Sequence, residues 1–244
     1  MHKLLNFINL CKNIRRKIVI INKVMDKKKK KLQNIIVFTD GSCMANGKLG
    51  AVGGIGIHFP DRELKDVSKI YEGKCTNQRT ELYAILKTLQ YINSRLGLEK
   101  YRVFIKTDSM YCINCITKWA PGWIKNGWLT KNKTPVANKE LISRIYKYYV
   151  KFIVFLEHVE AHTGGEDSDS MGNDVADSLA KRASKKAIKL KLSTLKETNQ
   201  RHQPSGSKTN QKYQPSGSKT NMRRPIAVKN NKSSIVVELI KSKN

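Results

Sequence analysis

The sequence predicts an α/β fold: a five-stranded mixed sheet, antiparallel through its first three strands and parallel in the remainder, flanked by helices. Three observations predict it. Three β-rich runs follow one another with only glycine-bearing turns between them. A long helical stripe separates them from a fourth β-rich run, and helical and β patterns then alternate. The resulting order, βββαβα(α)βα, suits helices that bury one apolar face on a sheet.

Residues 34–40 (NIIVFTD) form a β-branched run with no polar alternation, the pattern of a strand buried on both faces. Residues 47–59 are aliphatic and punctuated by glycine, and 64–75 read as another strand, so the first three strands form an antiparallel meander. Thr76 or Asn77 then offers a helix cap. Leu82, Ile85, Leu86, Leu89, Ile92 and Leu96 recur at helical spacing, and Gly97 stops the helix. Tyr101–Thr107 is the fourth strand, with Asp108 at its end. The strand–helix–strand unit implies parallel pairing of the first and fourth strands. A short helix runs from Ser109 to about Trp119, and 121–134 is irregular, basic and Trp-rich. A helix over 138–149, a strand over 151–159 and a closing helix over 172–187 complete the domain, which is assigned to 34–187.

The formal net charge of +28 is concentrated at the two ends. Residues 1–33 hold eleven Lys/Arg against one acid, and 181–244 hold seventeen against two. The middle, 34–180, holds nineteen against sixteen. Basic arms of this kind attract a polyanion by releasing counterions from its phosphates; a solubilising or localising tail is the alternative. Residues 1–33 read as a disordered basic extension. Their first 25 residues carry no acid and resemble a weak mitochondrial presequence, or an extension upstream of Met25. Residues 188–244 read as a basic low-complexity tail in which QPSGSKTN recurs after eleven residues. Such a segment buries too little apolar surface to offset its ordering entropy. Near its end SIVVELI has the composition of a short strand or docking peptide.

Five cysteines, an odd number, stand at positions 11, 43, 75, 112 and 115. Cys112 and Cys115 lack the second ligand pair of a zinc site and read as small apolar helix residues. An intracellular, reducing compartment is expected: cytoplasm, nucleus or mitochondrion. No apolar run approaches the roughly 20 residues that span a bilayer.

Asp40 and Asp108 each end a strand. If those strands are parallel neighbours, both carboxylates emerge at one sheet edge, the edge where α/β sheets bind ligands. Glu81 lies in the first turns of the intervening helix, and Asp174 and Asp177 share one face of the last helix. Each acid alone is ordinary, since a strand-end Asp commonly serves a turn and a helical Glu is commonly solvated. Their joint arrangement points further. Crowded carboxylates raise each other's pKa values, and a hard divalent cation such as Mg²⁺ or Mn²⁺ removes that cost. Two such ions about 4 Å apart suit phosphodiester cleavage.

Thr39-Asp40-Gly41-Ser42, Thr76 through Glu81, Thr107-Asp108-Ser109 and Gly172 through Ala180 appear in order. They resemble the four acidic motifs of type 1 ribonuclease H. The segment from Trp119 to Trp128 resembles the basic protrusion of the cellular enzymes, and the likeness covers about residues 34–187. It implies the RNase H-like fold. It also implies an endoribonuclease that hydrolyses the RNA strand of RNA–DNA hybrids by two-metal-ion catalysis, leaving 5′-phosphate and 3′-hydroxyl ends. Two Mg²⁺ ions, with Mn²⁺ able to substitute, and no small-molecule cofactor are implied, in a monomer.

The same likeness implies roles. Asp40 bridges both metals, Glu81 and Asp108 complete one site, and Asp177 rather than Asp174 holds the other. His162 matches a histidine that helps protonate the leaving group or release product. Asn46, Asn77 and Gln78 match residues that touch the minor groove and the RNA 2′-hydroxyls. Lys74, Thr76 and Asn138 match a pocket for a DNA-strand phosphate, and Trp119 and Trp123 a channel in which deoxyribose packs. Trp128 is read as packing.

Two departures stand out. The loop after His162 is longer than usual and acidic (Glu166, Asp167, Asp169), which bears on the reach of His162 and on metal binding. The aromatic-rich hybrid-binding module found at the N-terminus of eukaryotic relatives is replaced by a basic stretch. The competing readings are a nucleic-acid-binding protein with vestigial acids and a nuclease or recombinase of other specificity, because fold does not fix substrate.

Overall fold

The computed structural model describes residues 32–161 and 167–201, with side chains through 194. Five strands form one sheet in the order β3-β2-β1-β4-β5. They are β1 (Gln33–Met44), β2 (Val52–His58), β3 (Val67–Tyr71), β4 (Tyr101–Thr107) and β5 (Ile153–His158). β1 pairs antiparallel with β2 and parallel with β4, and β4 pairs parallel with β5. The expected mixed sheet is therefore observed. β1 lies at its centre, with Ile35, Val37, Phe38, Thr39 and Asp40 all buried.

The helices are α1 (Asn77–Arg95), α2 (Met110–Asn114), α3 (Ala120–Lys125), α4 (Lys139–Lys151) and α5 (Ser168–Arg201). Thr76 caps α1, its hydroxyl accepting from the Arg79 N–H at 3.3 Å, an arrangement worth about 1 kcal/mol. The stripe of α1 packs as its spacing requires, with Leu82, Ile85, Leu86, Leu89 and Ile92 no more than 1% exposed. Each such side chain contributes roughly 1.5–3 kcal/mol through burial. They join Val37, Val103 and Ile105 of the sheet and Ile142 and Ile145 of α4 in one core. α5 lies against β1, β2 and β3.

Two segments differ from the sequence expectation. The stretch expected to be irregular from 121 opens as α3, joined to α2 by a π-helical turn, Cys115–Trp119. Pro121 sits in the first turn of α3, directly after the π-helical turn. Cys112 and Cys115 are fully buried here, which holds both thiols protonated. The closing helix also begins before Gly172 and runs beyond Ala187 to Arg201. Its early start comes from Asp167, whose carboxylate accepts from the N–H groups of Asp169 and Ser170 at 3.0 Å and from the Ser170 hydroxyl at 2.6 Å. No helix among the described residues is long and apolar enough to cross a membrane.

Candidate active site

The parallel ladder between β1 and β4 keeps a constant register, from Gln33 beside Tyr101 to Phe38 beside Lys106. Asp40 and Asp108 each follow two residues later, so the same register carries both acids past the end of the ladder on adjacent strands. Glu81 reaches them from the second turn of α1. Gly41 makes that approach possible: a Cβ at Gly41 would lie 2.2 Å from the Glu81 backbone nitrogen. Among the described residues, Asp40, Glu81 and Asp108 form one group in which one carboxylate oxygen from each lies within 4.8 Å of those of the other two.

Asp177 stands beside this group rather than in it. Its carboxylate is held by Lys181 Nζ at 2.7 Å, one helical turn on, yet its charge acts on both Asp40 and Glu81. Asp174 instead lines a shallow surface hollow with Ser178 and Arg182. Glycine again sets the geometry. A Cβ at Gly56, the residue paired with Asp40 across β1 and β2, would fall 1.9 Å from the Ala176 carbonyl oxygen. Only a bare strand lets α5 bring Asp177 this close. The aliphatic-glycine pattern of β2 was the sequence signal for that contact, although it specified no partner.

Burial and mutual repulsion shape the acids. Asp40 is pushed up from 3.8 to about 7, first by burial and then by the charges of Asp108 and Asp177; the Gly41 N–H and Lys181 oppose the rise. Burial raises Glu81 well above 4.5, and Asp40, Asp108 and Asp177 add to it. At an effective dielectric near 20, two like charges at such a separation cost each other about 3 kcal/mol. Glu81 Oε2 is buried without a hydrogen-bond partner. A buried carboxylate oxygen with no donor, facing two more carboxylates, suits a hard cation. Cys112 lies within electrostatic reach of Glu81 and Asp108, but those charges and its burial keep it a thiol. The donor set is therefore oxygen only.

Several of the residues matched to hybrid contact are joined to one another through polar and ring contacts. Asn46 Oδ1 accepts from the Asn77 backbone N–H at 3.3 Å, which ties the β1–β2 turn to the start of α1. Asn77, Gln78 and Lys74 are exposed. Arg79, which has no distinguishing pattern in the sequence, joins Thr76 to Asn138. Its guanidinium donates to Asn138 Oδ1 at 3.2 Å and to the Tyr71 hydroxyl at 3.0 Å, and it pairs with Glu140. Asn138 takes a left-handed backbone (φ 59°) and donates onward to the Tyr111 hydroxyl at 3.0 Å. Tyr111, Trp119, Trp123 and Trp128 follow as a chain of ring contacts 5.7–6.4 Å apart. Trp119 is 42% exposed, whereas Trp123 and Trp128 are half-buried against the core.

His162 and Glu166 lie outside the described residues. The other two acids of that loop have structural partners. Asp167 caps α5, and Asp169 pairs with Lys106 Nζ.

The RNase H family profile matches residues 32–185. The chain is 54% identical over 145 residues to a probable ribonuclease H of Acanthamoeba polyphaga mimivirus, covering 59% of this chain and 63% of that protein. It is 34% identical over 155 residues to mouse ribonuclease H1, covering 64% and 52% respectively. The chain thus spans between half and two thirds of the length of these relatives. Among solved structures it is similar to LC9-RNase H1, a type 1 RNase H with the type 2 active-site motif, at 25% identity and a TM-score of 0.50, covering 64% of this chain and 74% of that one. The strand order, the acidic group and the profile match agree: the chain belongs to the RNase H family.

Proposed function

We propose that the protein is an endoribonuclease that hydrolyses the RNA strand of RNA–DNA hybrids, leaving 5′-phosphate and 3′-hydroxyl ends, and that it acts as a monomer in a reducing intracellular compartment. The observation that carries this reading is the convergence of Asp40, Glu81 and Asp108 within 4.8 Å at the ends of two parallel strands. Family membership implies a divalent cation; Mg²⁺, with Mn²⁺ as substitute, fits an all-carboxylate donor set.

Asp40, Glu81 and Asp108 would hold one cation, and Asp40 with Asp177 a second. When bound, the ions activate water and stabilise charge on the leaving oxygen. The chain's own residues then position the substrate. Asn46, Asn77 and Gln78 sit at the start of α1, where exposed amides can bond minor-groove edges and 2′-hydroxyls, the group that separates RNA from DNA. Thr76 and Asn138, held by Arg79, with Lys74 beside them, form a polar seat for a DNA-strand phosphate. Trp119 and Trp123 offer ring faces to the sugar beyond it. On this reading the DNA strand runs toward α2–α3 and the RNA strand over the acids. His162 would deliver a proton to the departing 3′-oxygen or speed product release.

The test is cleavage of labelled hybrid, RNA duplex and DNA duplex with and without Mg²⁺. Hybrid-selective, Mg²⁺-dependent cutting is expected. Equal cutting of DNA duplex would instead favour a nuclease of other specificity, and binding without cutting would make the acids vestigial.

A further inference from the structure

The last helix continues past the site as a basic surface. Between Ser178 and Thr194 it carries six Lys/Arg and no Asp or Glu. Its inner face is made of small residues, Ala176, Ala180, Ala183, Ser184 and Ala187, all buried against the sheet. Lys181, Lys185 and Lys189 recur at four-residue spacing, so they form one row on the other side. The row begins beside the acids, where Lys181 Nζ is 2.7 Å from Asp177. With Arg182 and Lys186 it borders an open hollow of about 530 Å³. Lys185, Lys186 and Lys189 are exposed, and no carboxylate among the described residues pairs with them. The helix is also firmly anchored beneath them: the Ser184 hydroxyl donates to Ser42 Oγ at 2.9 Å, and Lys191 Nζ donates to the Gly50 carbonyl at 2.7 Å.

We infer that the outward row of α5 is a second nucleic-acid contact, one that takes backbone phosphates of the duplex flanking the segment held at the acids. The inference rests on the hybrid reading for the identity of that duplex. Length supports it. The eight residues from Lys181 to Lys189 rise about 12 Å along the helix. One strand of a duplex presents a phosphate about every 3.4 Å of its axis, so the row spans about three to four nucleotides. Charge supports it as well: a row of cations with no acid among them, continuous with the site, meets a polyanion that must extend beyond that site. Phosphate contacts of this kind add affinity and register without reading sequence.

The experiment uses the full chain carrying Asp108→Asn, so that substrate is not consumed, with and without Lys185→Gln, Lys186→Gln and Lys189→Gln. Binding to a hybrid of about 8 base pairs, which fills the site alone, and to one of about 24 is followed across a salt series. For the long hybrid the three substitutions are expected to lower the slope of log affinity against log salt by roughly two and to weaken binding about tenfold or more. Binding of the short hybrid, and its cleavage when Asp108 is restored, should be unchanged. An unchanged slope on the long hybrid overturns the inference. Equal losses on both lengths also overturn it, because they would reflect a general field rather than contacts. So does lost binding to anionic phospholipid vesicles with the hybrid slope intact, which would assign the row to a membrane surface. If the protein with Asp108 intact cuts no hybrid, the functional reading fails separately, and the slope measured on DNA duplex of the same two lengths still decides the role of the row.

Discussion

Asp108 continues, two residues on, the register in which Phe38 of β1 faces Lys106 of β4, and so comes to stand beside Asp40. Backbone pairing of the two strands thus brings the carboxylate oxygens of both acids to one edge of the sheet.

Replacing one of these oxygens removes a charge without changing shape. Asp108→Asn is expected to cut hybrid cleavage by about a thousandfold or more, equivalent to roughly 4 kcal/mol of barrier. Hybrid affinity should stay within a few-fold, because the contact residues lie elsewhere. Single-turnover rates and filter binding on the same preparation check it, and undiminished turnover free of contaminating nuclease would defeat the assignment.

The raised acids predict how metal-free stability depends on pH. Asp40 rises from 3.8 to about 7 on folding, so the folded form holds its proton more tightly than the unfolded chain does. The associated stability is fully present below about pH 4 and is lost as pH climbs through about 7, an effect of the order of 4 kcal/mol. Glu81 moves in the same direction. The metal-free protein should therefore melt at lower temperature at pH 8 than at pH 5. Mg²⁺ should raise the melting temperature at pH 8 and have little effect at pH 5. Asp40→Asn should raise metal-free stability at pH 8 and abolish the Mg²⁺ response; calorimetry with and without chelator measures both.

Gly41 is expected to tolerate no side chain. An added Cβ would meet the backbone of Thr80 and Glu81 at 2.3 and 2.2 Å, and neither can step aside without moving α1 off the strand. Gly41→Ala should cost about 1–3 kcal/mol or more in denaturant unfolding and should weaken Mg²⁺ binding, measured by titration calorimetry. Gly56→Ala should have a comparable cost by displacing α5 at Ala176. A Gly41→Ala protein with wild-type stability and metal affinity would refute this account of how Glu81 is placed.

Arg79 is predicted to act through its neighbours. It organises Asn138, Tyr71 and Glu140, and none of its bonds goes to Asp40, Glu81 or Asp177. Arg79→Ala should raise KM for hybrid about tenfold, consistent with the loss of one or two charge-assisted bonds, and leave kcat within a few-fold. Arg79→Lys should restore little, because a single ammonium cannot reach three acceptors at once. A fall in kcat with KM unchanged would move Arg79 from the substrate seat to the chemistry.

By itself the sequence determined the sheet, the α1 stripe and the acids at strand ends. Those depend on local periodicity and on register, which the chain carries in consecutive residues. It also marked Asn46, Asn77 and Asn138, but only through likeness to a family, since exposed amides have no pattern of their own. Tertiary structure decided what depends on distance between remote segments. It separated Asp177 from Asp174, which share a helix face, by seating α5 on the bare backbone of Gly56. It gave Asp167 and Asp169 to a helix cap and to Lys106, and it made Arg79 the link between Thr76 and Asn138. It also turned a lysine-rich stretch into an ordered row beginning at the site. Each of these outcomes follows from packing one segment against another, and close packing is set by shapes that no single segment contains.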